Sequence, residues 1–124
     1  MTFTFDTGML IALEHRRQRA TEALRNIVRR GYLPVVPAVV YAEWWRGRTD
    51  VREEILGFVV VEDMPASLCR AAGEALTAVR GSTLVDAVVM ASAALRGGGV
   101  VYTSDRPDLE RLARHFPTVR VLDA

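Results

Sequence analysis

Short runs of β-branched and aromatic residues alternate along this chain with longer stretches whose apolar positions recur at helical spacing. Thr2 to Phe5 reads as a strand, Thr7 to Glu14 as a helix, and about Arg16 to Arg30 as a second helix stopped by Gly31. Leu33 to Val36 is the next short strand, after which Pro37 opens a helix through Trp45 that ends at Gly47. A further short helix carries Glu53 and Glu54, and Phe58 to Val61 is a third strand. From Pro65, apolar residues at Leu68, Ala71, Ala72, Ala75, Leu76 and Val79 keep a 3.6-residue period until Gly81-Ser82 breaks it. Thr83 to Leu95 is a very apolar helix, expected at the centre of the fold, and Gly97-Gly98-Gly99 ends it. Val100 to Thr103 is a strand, Pro107 to His115 a helix, and Val119 to Leu122 a last short strand. Strands alternating with helices predict a parallel sheet covered on both faces, with ligands bound outside the carboxyl ends of the strands.

At 124 residues the chain is long enough for one domain with a single core, so residues 1–124 are read as one unit. The nearly apolar run from Leu84 to Leu95 is interrupted by Asp86 and too short to span a bilayer. The N-terminus shows neither a basic n-region nor a small-residue cleavage site, so no membrane association and a cytoplasmic location are expected. The lone cysteine, Cys69, excludes an intrachain disulfide and is expected to be a packed thiol. Net charge is only +1, but all sixteen basic residues are arginine, and six of them lie between Arg16 and Arg30 with Glu22 as the only acid. That run is either a solvated helix face or a set of phosphate contacts, for which the guanidinium fork is suited.

Against this apolar background, Asp6, Glu43, Asp86 and Asp105 stand in segments that would normally exclude a charge: TFTFDTGMLIAL, PAVVYAEWWRG, STLVDAVVMASAAL and VVYTSDRPDL. A buried carboxylate needs a partner, a proton or a metal. Each acid also has a plain structural account. Asp6 is a candidate N-cap, Glu43 a candidate ion-pair partner of Arg46, and Thr83 with Asp86 imitates a capping box, as Asp105 does with Asp108. Caps alone do not explain why four acids lie on segments expected to meet at one sheet edge. With no lysine in the chain to neutralise them, they point to a hard divalent cation.

Other chemistries are excluded. A phospho-accepting receiver domain needs a lysine, and a haloacid-dehalogenase phosphatase needs a second Asp where Gly8 stands. No Gly-Lys-Ser/Thr phosphate loop is present, and no His/Cys cluster has zinc spacing. His15 and His115 fall in helical ends, where solvated or capping roles are expected, and Ser104 has no triad pattern around it.

The ordered segments Phe-Asp6-Thr7-Gly8-Met-Leu-Ile-Ala-Leu, Ala-Glu43, Val-Asp86-Ala and Tyr-Thr103-Ser104-Asp105-Arg-Pro-Asp108-Leu resemble a PIN domain, over essentially the whole chain. The size is similar to that of the VapC-like toxins of bacterial toxin–antitoxin systems. The resemblance implies a three-layer α/β/α domain with a central parallel sheet of four or five short strands. It further implies a Mg²⁺- or Mn²⁺-dependent endoribonuclease, homodimeric and held inactive by a cognate antitoxin. By position, Asp6, Glu43, Asp86 and Asp105 match the family's acidic quartet, and Thr7 and Ser104 match supporting hydroxyl positions. Gly8 departs from the more frequent serine or alanine, which is expected to be harmless, and Trp44-Trp45 is a bulky pair beside Glu43.

On this reading Asp6 and Asp86 hold the principal metal ion, with Glu43 and Asp105 completing its shell or binding a second, and a metal-activated water attacks the scissile phosphorus. Arg46 is a candidate phosphate contact, with a plain ion pair to Glu43 as its rival reading. The tryptophans are expected in core or subunit interface rather than stacked on bases. Three alternatives stay open: a catalytically weak PIN-like regulatory module, a metal-dependent DNA nuclease or phosphatase on the same scaffold, or a purely structural α/β module.

Overall fold

The computed structural model describes residues 1–47 and 49–124. Twelve elements follow in the order β1 (Phe3–Phe5), α1 (Thr7–Glu14), α2 (Gln18–Arg29), β2 (Val35–Pro37), α3 (Ala38–Trp44), α4 (Asp50–Leu56), β3 (Val60–Glu62), α5 (Ala66–Ala78), α6 (Leu84–Leu95), β4 (Gly99–Thr103), α7 (Arg106–Ala113) and β5 (Val119–Asp123). The strands form one five-stranded sheet ordered β3-β2-β1-β4-β5. Every pairing is parallel. This is the three-layer α/β/α arrangement that the alternation of patterns implies.

The strand order decides where chemistry can sit. From β1 the chain winds outward through β2 to β3, then returns across the sheet to place β4 on the other side of β1. The winding therefore reverses between β1 and β4, and the crevice outside their carboxyl ends is a topological switch point. Register pairs Phe5 with Tyr102, and the Asp6 amide donates to the Tyr102 carbonyl at 3.2 Å. The two strand ends, and the residues that follow them, are thus held side by side.

The helix α6 lies against β1, β2, β4 and β5, and α5 packs along it. Its residues from Ala87 to Ala93 are all buried, which is why it shows no polar face in sequence. Gly98 and Gly99 do more than stop this helix. Both have positive φ, and a Cβ on them would lie 2.4 Å from the carbonyl oxygens of Thr118 and Thr2 respectively. Only glycine lets the chain turn into β4 there.

One polar network ties the far end of α6 to the sheet. Arg96 donates to Glu62 at the end of β3, to Ser92 Oγ at 2.7 Å and to the fully buried Thr4 Oγ1 at 2.6 Å, and Ser92 donates to Glu62 at 2.6 Å. Arg96→Ala is expected to cost about 2 kcal/mol, because it leaves the part-buried Glu62 carboxylate with only the Ser92 hydroxyl and the Thr4 hydroxyl without its donor. Urea titration measures this, and an Arg96→Met/Glu62→Met double variant should recover much of the loss.

Cys69 was expected to be packed and is instead exposed, at the solvent side of α5, with its thiol directed at the Met64 carbonyl. The α5 stripe buries Leu68, Ala72 and Ala75, which turns the intervening position outward. Among the described residues no helix is long and apolar enough to cross a membrane.

Candidate active site

Asp6 ends β1 and caps α1. Its backbone is extended (φ −89°, ψ −179°), and its Oδ1 accepts the Met9 N–H at 2.8 Å. The cap and the buried acid are therefore the same residue, since Asp6 is only 7% exposed. Burial pushes its pKa up to about 6, although the Thr103 hydroxyl and the Met9 and Gly8 amides favour the ionised form; the nearby Asp86 charge raises it further.

Thr103 is the last residue of β4 and lies on the same buried face as Val101. Its hydroxyl hydrogen-bonds the Asp6 carboxylate while its Oγ1 accepts the Asp105 N–H at 2.9 Å. One hydroxyl thus links the ends of the two switch-point strands, and both of its bonding directions are used. The resemblance implies supporting hydroxyls at Thr7 and Ser104. Ser104 is exposed and makes no hydrogen bond among the described residues; its side chain stands over Gly8 instead. No local pattern separates Thr103 from Ser104: Val100 and Val101 are both buried, so the run Val-Val-Tyr-Thr-Ser does not alternate, and β4 ends at Thr103.

Gly8 is accordingly not a neutral departure. A Cβ there would lie 1.8 Å from Ser104 Oγ, 2.8 Å from Ser104 Cβ and 3.0 Å from the Ser104 amide. The hydroxyl can rotate away, but the Cβ and amide move only with the backbone that carries Asp105. Gly8→Ala is expected to destabilise the protein by about 2 kcal/mol, as overpacking does. Ser104→Gly should relieve part of that loss, and a thermal-melting double-mutant cycle measures the coupling.

Thr7 opens α1, and its hydroxyl donates to Glu43 Oε1, which orients this exposed acid of α3. Arg46 does not pair with Glu43. The helix ends at Trp44 and Trp45 is extended (ψ 113°), so Arg46 is not one helical turn beyond the acid; it is exposed. Trp44 explains the early stop: it is buried, donates its indole N–H to Glu14 at 3.0 Å, and lies beneath the Arg52 guanidinium. Trp45 is half-buried edge-on to Tyr41 and Trp44. Trp44 is therefore core, as expected, and is not available to stack on a base.

Asp86 sits in the first turn of α6, where Thr83 Oγ1 accepts its amide at 3.2 Å. It is half-buried, and its pKa is raised by burial, with the charges of Asp108, Asp105 and Glu43 pushing the same way and the Thr83 hydroxyl opposing them. The pKa of Asp105, at the N-cap of α7, is also raised, chiefly by its hydrogen bond with Asp108, then by desolvation and by the charge of that neighbour. Asp108 in turn pairs with Arg111 at 2.7 Å.

The structure thus brings Asp6, Glu43, Asp86, Asp105 and Asp108 into one electrostatic neighbourhood at the switch point. Among the described residues no ion pair neutralises Asp6, Glu43 or Asp86. The donors are all hard oxygens and mutually repulsive, which fits Mg²⁺ or Mn²⁺. Among the described residues no three acidic, histidine or cysteine side chains stand close enough together to hold a metal ion as they are placed. His15 and His115 are exposed and stand apart from this chemistry.

Two concavities on the surface do not include Asp6, Glu43, Asp86 or Asp105 in their walls. One groove of about 780 Å³ runs between α2 and α4, where Arg16, Arg25 and Arg29 rim an apolar floor. A second, of about 680 Å³, lies between the end of α5 and α7.

The PIN domain family model matches residues 3–115 of the chain. The whole fold is similar to a chain of VapBC2 from Rickettsia felis bound to a DNA fragment from their promoter, with a TM-score of 0.77 at 14% identity, covering 100% of this chain and 99% of that one. It is also similar to a chain of DNA-bound VapBC from Salmonella typhimurium (TM-score 0.72, 16% identity, 99% and 98% covered). A toxin–antitoxin complex from Klebsiella pneumoniae gives a TM-score of 0.70 at 17% identity, with 96% of each chain covered. No curated protein matches the chain by sequence. With the family's pattern matched across nearly its whole length, and its acids gathered where the parallel sheet reverses, the chain belongs to the PIN domain family.

Proposed function

We propose that this protein is a Mg²⁺- or Mn²⁺-dependent endoribonuclease and the toxin of a VapC-type toxin–antitoxin pair. The observation that carries the reading is the set of acids gathered around Asp6 and Asp86 at the β1/β4 crevice, of which Asp6, Glu43 and Asp86 have no ion pair among the described residues. Asp6 and Asp86 would hold the ion, with Glu43 and Asp105 completing its surroundings directly or through water. A divalent cation bound there supplies Lewis-acid stabilisation of phosphate charge and a water of lowered pKa.

The chain's own residues prepare that site. Thr103 and the Met9 amide fix the Asp6 carboxylate, Thr7 aims Glu43, and Thr83 holds the first turn of α6 so that Asp86 faces the crevice. In-line attack by water with the 3′-oxygen leaving gives 5′-phosphate and 3′-hydroxyl ends, whereas a cyclic phosphate would mean attack by the RNA's own 2′-hydroxyl with the 5′-oxygen leaving.

The toxin half of the reading draws on the structural neighbours, which come from complexes of VapC-type toxins with antitoxins. The α2/α4 groove, with its arginine rim and apolar floor of Leu13, Leu24 and Phe58, has the chemistry to receive an amphipathic acidic segment. A homodimer is part of the same reading, and sedimentation reads it directly.

The test is incubation of purified protein with folded tRNA and ribosomal RNA fragments in Mn²⁺, Mg²⁺ or EDTA. Discrete metal-dependent cuts in RNA support the nuclease. Cuts in DNA alone, or phosphate release from monoesters without internal cleavage, would replace it with the DNA-nuclease or phosphatase alternative. Folded protein that binds metal yet cuts nothing would favour a regulatory module. The toxin assignment is tested separately, by growth arrest on expression and its rescue by the product of a small adjacent reading frame.

A further inference from the structure

The cavity between the end of α5 and α7 is lined by Arg80, Arg111, Arg114 and His115, over a floor that includes Val79 and Pro107. Its one carboxylate, Glu110, is engaged by Arg106 at 3.0 Å. Arg80 and Arg114 are exposed and make no ion pair among the described residues. The cavity is therefore strongly cationic in a protein whose net charge is only +1. The α2/α4 groove differs, since Glu22 and Glu54 stand among its arginines.

This cavity adjoins the acidic crevice. Arg111 forms part of its wall and donates to Asp108 Oδ1 at 2.7 Å, and Asp108 hydrogen-bonds Asp105 and acts electrostatically on Asp86. From the other side, Arg80 leads through Gly81 and Ser82 into Thr83, the cap that holds Asp86; a Cβ on Gly81 would come within 3.4 Å of the Arg111 guanidinium. Both walls are thus continuous with elements that carry the acids. Along α7, Arg111 and Arg114 are about one helical turn apart, so their guanidinium groups form a row leading away from Asp105.

A polyanion whose scissile phosphate lies at the carboxylates must be held by cations beside them, because the acids themselves repel it. We propose that Arg80, Arg111 and Arg114 form a subsite for the backbone phosphates of single-stranded RNA flanking the scissile bond. The proposal deepens the nuclease reading and rests on it for the choice of RNA. Guanidinium contacts to phosphate oxygens position a strand without reading its bases, so this subsite contributes affinity and register but no sequence preference.

The experiment measures binding of a fluorescently labelled single-stranded oligoribonucleotide by anisotropy, in an Asp86→Asn background that prevents cutting. Arg80→Gln/Arg114→Gln is compared with the charge-matched Arg70→Gln/Arg120→Gln, whose arginines are exposed elsewhere on α5 and β5. Melting temperatures verify that both are folded. The cavity variant should bind at least about tenfold more weakly at low salt. Its salt slope should fall by about 1.4, because each phosphate neutralised on a single strand contributes about 0.7. Between about 50 and 200 mM salt the affinity ratio between parent and variant should then shrink roughly sevenfold. Equal losses in the control would assign the effect to overall charge and overturn the subsite, as would unchanged binding.

In the cleavage-competent protein the same substitutions should raise KM and leave kcat nearly unchanged; metal-dependent cutting with an unaltered KM would refute the subsite and leave the nuclease standing. Arginine-dependent RNA binding without any cutting would do the reverse. Unchanged RNA binding with lost affinity for an acidic peptide would reassign the cavity to a protein partner.

Discussion

Replacing Asp86 by Asn is expected to reduce metal-dependent RNA cleavage by on the order of a thousandfold, a loss of about 4 kcal/mol of transition-state stabilisation. The fold should not suffer. Asn keeps the shape, Thr83 Oγ1 still accepts the residue-86 amide, and the repulsion from Asp105, Asp108 and Glu43 disappears. The variant should therefore melt at or above the parent's temperature while losing activity, a combination that a purely structural role for Asp86 does not produce. Single-turnover cleavage at saturating Mn²⁺ is the measurement. Activity within tenfold of the parent, still abolished by EDTA, would mean that Asp86 is not among the groups serving the ion and would overturn the proposed site.

The second large effect is on stability, and its sign follows from burial. Asp6 has its pKa raised from 3.8 to about 6, so the folded state holds this proton more tightly than the unfolded chain does. Its favourable contribution is complete below the unfolded value and is lost as pH rises through the folded one. The metal-free protein should lose about 2 kcal/mol from this group between about pH 4 and pH 7. Asp86 shifts in the same direction and adds to the trend. Asp6→Asn keeps the N-cap to Met9 but removes the titration, so it should match the parent near pH 4 and exceed it by about 2 kcal/mol near pH 7. Urea denaturation in EDTA at both pH values decides this; parallel profiles would show that the buried carboxylate carries no such cost. Millimolar Mn²⁺ should raise the parent's melting temperature, more at pH 7 than at pH 5, and leave Asp6→Asn little changed.

That trade of stability for a charged crevice also shows how differently the parts of this protein could be read beforehand. Helix and strand placement was legible because each local signal acts within a few residues. Asp6 before Thr7, Thr83 before Leu84 and Pro65 before Ala66 all mark helix starts in the structure. Asp6 stood out because a carboxylate embedded in apolar sequence is unusual, and it is buried in the structure.

Contacts between distant segments were not legible. That Thr103, rather than the adjacent Ser104, bonds the Asp6 carboxylate depends on the pleat of β4 against β1. Gly8 looked interchangeable with a small residue until the loop after β4 was seen lying over it. Arg46 looked one turn from Glu43 because nothing local marks the end of α3, which is decided by Trp44 turning into the core toward Glu14 and Arg52.

The sequence by itself determined the order of elements and the parallel α/β class, because caps and periodicity are properties of short stretches of chain, and the cost of burying charge singled out Asp6, which is buried. Only the tertiary structure decided that the winding reverses between β1 and β4, so that Asp6 and Asp105 become neighbours through one threonine hydroxyl. It alone also set the arginines of α5 and α7 beside the carboxylates. Proximity between residues about a hundred positions apart is created by sheet register and helix packing, and no local preference encodes it.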